Sequence, residues 1–235
     1  MFQSIIWVCW DVVKTYDVSI AMICQAFASV EIMKVLDLFS GLGGFSEAFL
    51  RAGDEVCRVE NNPLLSEVPC TSIEDVKAMR DRLLEYKISG QPIRKIDLVL
   101  ASPPCLDFSM AYSAPRSVAT RNGEEWNPSM ELVEITLEII EIVCPRWFVI
   151  ENVIGSISYF EEIGLVPNQI HGSCVFYGNF PKFATPSMKT KAQKDSWHGD
   201  PLRMNKRALI PFELSMALRK AIISQKTLFD DYINA

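Results

Sequence analysis

Short apolar runs alternate along the first two thirds of the chain with stretches in which apolar residues return every third or fourth position. "KVLDLF" (34–39) predicts a buried strand, and the run ends in the glycine turn of "SGLGGFSEAFLRAG" (40–53). There Phe45, Ala48, Phe49 and Ala52 share a helical face, and Gly53 ends the helix. "EVCRVENN" (55–62) predicts a second strand. "SIEDVKAMRDRLLEYKISG" (72–90) predicts a helix capped by its serine, with a polar face. "KIDLVLASPPC" (95–105) reads as another buried strand. "SMELVEITLEIIEIVCPR" (129–146) reads as an amphipathic helix with Leu132, Ile135, Ile139, Ile142 and Val143 on one face, followed by the strand "WFVIENV" (147–153). Strand and helix in alternation predict an α/β fold, a doubly wound parallel sheet. After about Ser158 the pattern weakens. Residues 167–201 are rich in Gly, Pro, Ser, Thr and Lys and read as a long loop or small irregular subdomain, with short strands around 173–177. "IPFELSMALRKAIISQ" (210–225) predicts a last amphipathic helix with Pro211 near its start.

At 235 residues and 49% apolar composition the chain suits one large domain, or one with a small appendage. The net charge of −6 argues against a uniformly basic nucleic-acid binder. It conceals an asymmetry: Lys182–Lys220 holds nine Lys/Arg against three Asp/Glu, leaving about −12 on the remainder. Such a segment fits a phosphate-binding surface; charge alone fits a solvated lysine-rich loop equally well. Seven cysteines at wide spacings, without C-x-x-C or a zinc-type cluster, imply no metal site and a reducing, cytoplasmic setting. In residues 1–32, Asp11, Lys14 and Asp17 interrupt the apolar stretch, so no membrane span is expected. "MKVLDLFSG" reads like a natural start at Met33, which makes 1–32 either a helical extension or an over-extended reading frame.

Three motifs carry chemistry. The turn in "DLFSGLGG" follows a strand, where a ligand reaches backbone amides in open α/β sheets; it also fits a simple tight turn. The next strand ends in Glu60, a residue type that accepts hydrogen bonds from ribose hydroxyls. Together they suggest an adenosine-containing cofactor. In "SPPCLDFS", Pro103 and Pro104 hold the chain extended and aim Cys105 from the same sheet edge. Cys105 is then a nucleophile or a buried loop cysteine. Glu151 of "FVIENV" follows four apolar residues; such a carboxyl has a raised pKa suited to proton donation, or is a cap or ion-pair partner.

In this order the motifs, "DLFSGLGG", Glu60, "PPC" with "FS", and "ENV", resemble those of the C5-cytosine DNA methyltransferases over roughly Lys34–Val153. The resemblance implies a Rossmann-like fold that binds S-adenosylmethionine. It implies that Phe39 packs on the cofactor, that Leu42, Gly43 and Gly44 line its amino-acid end, that Glu60 holds the ribose and that Asn61 and Asp75 lie at the adenine. Pro104 joins that cofactor set. Cys105 matches the nucleophile and Glu151 the glutamate that engages the base, with Ser102, Pro103 and Asn152 beside the substrate. The chemistry implied is methyl transfer to C5 of a flipped cytosine through a covalent Cys105 adduct, for which a lowered Cys105 pKa is expected. Implied partners are double-stranded DNA and a cognate restriction endonuclease, for a monomer that binds no membrane.

Downstream the chain departs from the family. No Gln-x-Arg-x-Arg motif follows "ENV", and Lys182 is the nearest basic substitute for its base-contacting arginine. The closing Gly-Asn motif is absent; "NKRALIPFELSMAL" (205–218) stands in its place and resembles the form in short viral and archaeal members. The expected organisation is an extension (1–32), a catalytic domain (33–158), a small DNA-recognition region (159–205) in which lysines join Phe180, Phe183 and Trp197, and a C-terminal helix packing back (206–235). Three rivals remain: an amino-methyltransferase, to which "SPPC" is similar; an RNA (tRNA) cytosine-5 methyltransferase; and a catalytically silent binding module.

Overall fold

In the computed structural model, residues 32–184 and 199–233 are described, the side chains through Gln225. Those from Met33 onward belong to the unit Met33–Ala235. Residues 1–31 of the proposed extension, and Trp197, lie outside the described residues. Among the described residues seven strands form one sheet: β1 (Lys34–Leu38), β2 (Glu55–Glu60), β3 (Thr71–Ile73), β4 (Leu98–Ala101), β5 (Trp147–Val153), β6 (Pro167–His171) and β7 (Cys174–Gly178), in the order β3-β2-β1-β4-β5-β7-β6. The strands β1 to β5 pair in parallel. Strand order reverses between β1 and β4, the place where open α/β sheets leave a crevice beyond their carboxyl ends.

Helices cover both faces. On one side lie α2 (Val76–Ser89), α4 (Glu131–Val143) and α5 (Ile157–Glu162), over a core that includes Leu36, Val99, Ile139 and Ile150. On the other lie α1 (Glu47–Arg51) and α7 (Phe212–Ile233), over Val35, Phe49, Leu100 and Leu218. Two further helices, α3 (Pro115–Asn122) and the single-turn α6 (Arg203–Arg207), flank the crevice segments. The four residues of β4 are fully buried, as expected for a central strand covered on both faces. The first turn of α1 has no cap of its own. Ser215 of α7 serves instead: its Oγ accepts from the Ala48 amide (3.1 Å) and donates to the Phe45 carbonyl (2.6 Å).

Two readings of the sequence change. Ser72 is not the cap of α2; it pairs within β3 beside β2, and Asp75 caps the helix by accepting from the Lys77 amide at 2.8 Å. Residues 167–178 are neither a loop nor irregular, and the short strand expected around 173–177 is present as β7. They form a hairpin that extends the sheet, with β7 antiparallel to both β5 and β6. The link between β6 and β7 is only Gly172 and Ser173, with Gly172 at φ +58°, too short for a parallel crossover. Val175, Phe176 and Tyr177 are fully buried, so the strand belongs to the core despite its polar surroundings in sequence.

Candidate active site

The end of β1 sets the floor of the site. Phe39 follows it at φ +56°, a backbone region costly for a bulky residue, and faces a cavity of about 330 Å³. The glycine turn then folds over a fully buried arginine on β2. Arg58 donates to the Gly43 carbonyl (Nη2, 2.8 Å), the Pro69 carbonyl (Nη1, 2.9 Å) and Ser46 Oγ (Nε, 2.9 Å), and pairs with Glu47 at 3.0 Å. A Cβ on Gly43, whose φ is +79°, would lie 2.4 Å from the guanidinium carbon. Gly43 is thus demanded by Arg58 and does not line the cavity. Gly44 does, and its close neighbour is the Ile210 carbonyl, 2.4 Å from a would-be Cβ.

Leu42, Glu60, Asn61, Asp75 and Pro104 also line the cavity. Glu60 anchors the turn: Oε2 accepts from the Gly41 amide (2.9 Å) and Oε1 from the Asn62 amide (3.0 Å), leaving each oxygen further acceptor capacity. Sequence reasoning missed two contributions. One is Asp37, the polar residue within the apolar run of β1. It accepts from Ser46 Oγ at 2.6 Å, and burial pushes its carboxyl up to about 6. Asp37 Oδ1 and Ser40 Oγ, both on cavity residues, are buried without a hydrogen-bond partner. The other is the far wall, where Met204, Asn205, Leu209 and Ile210 come from α6 and the segment after it. The resemblance places 205–218 where the family's closing motif stands, but the local pattern of the segment assigns it no contact with the cavity.

At its other end the cavity reaches Ser102 and Cys105. Pro103 is buried; its carbonyl accepts from Asn152 Nδ2 at 3.1 Å, and Asn152 is 1% exposed. Asn152 therefore ties the "ENV" strand to the "PPC" loop from inside the protein and presents no side chain to a substrate. Behind the cysteine, a would-be Cβ on Gly155 lies 2.0 Å from the Phe108 carbonyl, so the turns after β4 and after β5 touch. Cys105 is half-buried at the start of the 3-10 turn Leu106–Phe108. Its thiol is pushed above the usual cysteine range, first by burial and then by the charge of Glu151. This corrects the expected lowering: a thiolate gains stability from a nearby cation, and the charge that acts on Cys105 here is negative.

Glu151 behaves as the apolar strand predicts. Burial raises its carboxyl to about 7, against hydrogen bonds from Cys174 and Ser102 that favour the ionised form. Lys182 does not reach this group. β7 runs back from Cys174, opposite Val153, to Gly178, opposite Val149, so the chain leaves the sheet at the amino end of β5. Asn179 marks that end by accepting from the Phe148 amide at 2.7 Å, and Lys182 is exposed beyond it. Phe180 and Phe183 are buried in the core beside Phe176, which settles them as packing residues.

Comparison with known proteins agrees with this geometry. The model of the family "C-5 cytosine-specific DNA methylase" matches residues 33–161, more than half of the chain. The Type II methyltransferase M1.HphI of Haemophilus parahaemolyticus is 32% identical over 123 residues, 50% of this chain and 32% of that protein. M.HindV of Haemophilus influenzae is 35% identical over 127 residues, 52% of this chain and 38% of its own length. M.HgiGI of Herpetosiphon aurantiacus is 29% identical over 126 residues, 52% of this chain and 90% of its own. The aligned stretch thus spans only about a third of the first two relatives. The strands β1 to β5, the glycine turn, the cysteine and the glutamate all fall within the matched residues, and the chain belongs to the C-5 cytosine-specific DNA methylase family.

Proposed function

We propose that the protein transfers a methyl group to C5 of cytosine in double-stranded DNA, with Cys105 as nucleophile and Glu151 as proton donor. The observation that carries this reading is their placement: Cys105 stands where the cavity ends, and the strand that carries Glu151 is tied to the Cys105 loop by the buried Asn152–Pro103 hydrogen bond.

The family implies S-adenosylmethionine as cofactor, and the cavity fits it. Its volume lies in the range of small-ligand sites. The unpartnered Asp37 Oδ1 and Ser40 Oγ suit a ligand end rich in hydrogen-bond donors. Glu60 keeps acceptor capacity for ribose hydroxyls, with Asn61 and Asp75 toward the adenine and Phe39, Leu42 and Gly44 about the rest. When bound, S-adenosylmethionine supplies an electrophilic methyl group.

The chain's own residues prepare the base. A cytosine leaves the helix stack, at a cost of a few kcal/mol. Cys105 Sγ gives up its proton to solvent and bonds to C6, while the ring electrons move toward N3, where Glu151 delivers a proton. C5 is then nucleophilic toward the methyl donor. Loss of the C5 proton to solvent, elimination of the Cys105 thiolate and return of the N3 proton to Glu151 restore the aromatic ring. In this reading 33–158 is the catalytic domain, and the basic residues between β7 and α6 contact DNA phosphates. A cognate restriction endonuclease is part of the same reading, supported by the Type II designation of the relatives. In this reading the protein acts as a monomer in the cytoplasm.

Duplex DNA carrying 5-fluorocytosine tests the reading. With S-adenosylmethionine present it should trap the protein as a complex stable to denaturant, and Cys105→Ala should not be trapped. Equal trapping of both, or trapping of tRNA in place of duplex DNA, overturns it. DNA binding without any methylcytosine leaves the protein a silent binding module.

A further inference from the structure

The neighbour of Glu151 across the sheet is a cysteine. In the antiparallel pairing of β5 with β7, Glu151 stands opposite Phe176 and Val153 opposite Cys174. Side chains two apart on a strand share a face, so Cys174 lies diagonal to Glu151 on one face of the sheet. Cys174 packs there against the core that holds Phe176 and Leu100. Its thiol, and the Ser102 hydroxyl at the end of β4, are the two side-chain donors that act on the Glu151 carboxyl in favour of its ionised form. Each donor is uncharged, and β7 (CVFYG) contains no lysine or arginine.

We infer that Cys174 is a positioning residue for Glu151: a neutral, weak donor that holds the carboxyl toward Cys105 without fixing it in the ionised form. The physical reason lies in donor strength. A cation beside a carboxylate favours the charged form strongly, a hydroxyl moderately and a thiol least. Among the described residues, the other titratable groups around Glu151 are the Cys105 thiol, on the loop after β4, and the Tyr177 phenol of β7, which is bonded to Ser156 Oγ at 2.8 Å. Both thiols and the phenol are shifted up and stay protonated at neutral pH. Glu151 is thereby left as the group of this cluster that titrates near neutrality. A proton donor is most useful when its pKa lies near the working pH.

The test follows the carboxyl itself. In the full-length protein, the infrared band of the protonated Glu151 carboxyl, assigned by its loss in Glu151→Gln, is titrated in wild type and in three variants. Cys174→Ala removes a donor to the charged form, and its midpoint should rise by roughly 0.5–1 pH unit. Cys174→Ser, with a stronger donor, should stay at or slightly below wild type. Cys174→Arg should fall by at least about one unit. The alkaline limb of kcat/KM for methyl transfer should follow in the same order. A merely structural role would lower activity or stability and leave these midpoints in place. Unchanged midpoints in both Cys174→Ala and Cys174→Arg overturn the inference, and if the arginine variant does not fold, the Ala and Ser pair decides. The pH–rate part rests on the methyltransferase reading, whereas the infrared titration does not. Shifted midpoints in a protein that makes no methylcytosine uphold the role of Cys174 and overturn that reading alone.

Discussion

Asn152 Nδ2 donates to the Pro103 carbonyl at 3.1 Å, and this buried bond joins the strand that carries Glu151 to the loop that carries Cys105. Asn152 Oδ1 also accepts from the Val153 amide at 2.9 Å, so the side chain is held at both ends. Replacing it with leucine leaves the Pro103 carbonyl buried and unpaired. Asn152→Leu should lose about 1–3 kcal/mol of stability and form the 5-fluorocytosine adduct more slowly, with cofactor affinity retained. Urea midpoints and single-turnover trapping rates check this. An adduct rate equal to wild type would show that the bond does not position Cys105.

The Cys105 thiol is raised above the usual cysteine range by burial and by Glu151. Neutralising the glutamate removes a negative charge near the sulfur and stabilises the thiolate. Alkylation of Cys105 by iodoacetamide, followed by mass spectrometry of its peptide, should therefore show a lower pH midpoint in Glu151→Gln. Burial remains, so that midpoint should still lie above the range of a free thiol. An identical midpoint in the two proteins removes Glu151 as a cause.

The same carboxyl makes stability depend on pH. Its folded pKa of about 7 exceeds the ordinary 4.5, so between those values the folded state holds a proton that the unfolded chain has released. Stability contributed by the protonated group is complete below pH 4.5 and is lost as pH rises through 7. Asp37, raised from 3.8 to about 6, acts in the same direction over a lower window. Glu151→Gln should flatten the decline and, above pH 7, be more stable than wild type by on the order of 1–3 kcal/mol. Chemical denaturation at pH 5 and pH 8 measures it; a mutant less stable at pH 8 contradicts the sign.

Gly44 touches the wall that closes the cavity. A methyl group there would sit 2.4 Å from the Ile210 carbonyl and 2.6 Å from Leu209 Cδ1. Backbone must give way, and the segment displaced lines the cavity. Gly44→Ala should weaken S-adenosylmethionine binding roughly tenfold or more, about 1.4 kcal/mol, in calorimetry. Affinity within twofold of wild type would place the cofactor elsewhere.

Much of this molecule is legible in its pattern. The strands 34–38, 55–60 and 147–153 and the helices 47–51, 76–89 and 131–143 follow from local pattern, because strands buried in a sheet are mostly apolar and a covering helix is apolar on one face; the short helix Ile157–Glu162 does not. The glycine turn, Glu60, Cys105 and Glu151 are legible for a related reason. Each stands at or near the end of a strand of a parallel sheet, and parallel strands bring their carboxyl ends to one edge. The raised Glu151 pKa is legible in the four apolar residues before it.

Other relations exist only between segments far apart in sequence. Arg58, a charged residue inside the strand "EVCRVE", is the buried peg under the glycine turn, a role nothing in that stretch announces. Ser215 caps a helix that begins more than 160 residues earlier. The hairpin turn at Gly172 reverses β7, which sets Cys174 diagonal to Glu151 and carries Lys182 to the opposite end of the sheet. The local pattern thus determined which elements form and which residues end the strands, since those depend on near neighbours. Tertiary structure decided which groups share a charge or a proton, because burial and hydrogen bonding to Glu151 and Cys105 come from strands and loops that meet only in the folded sheet.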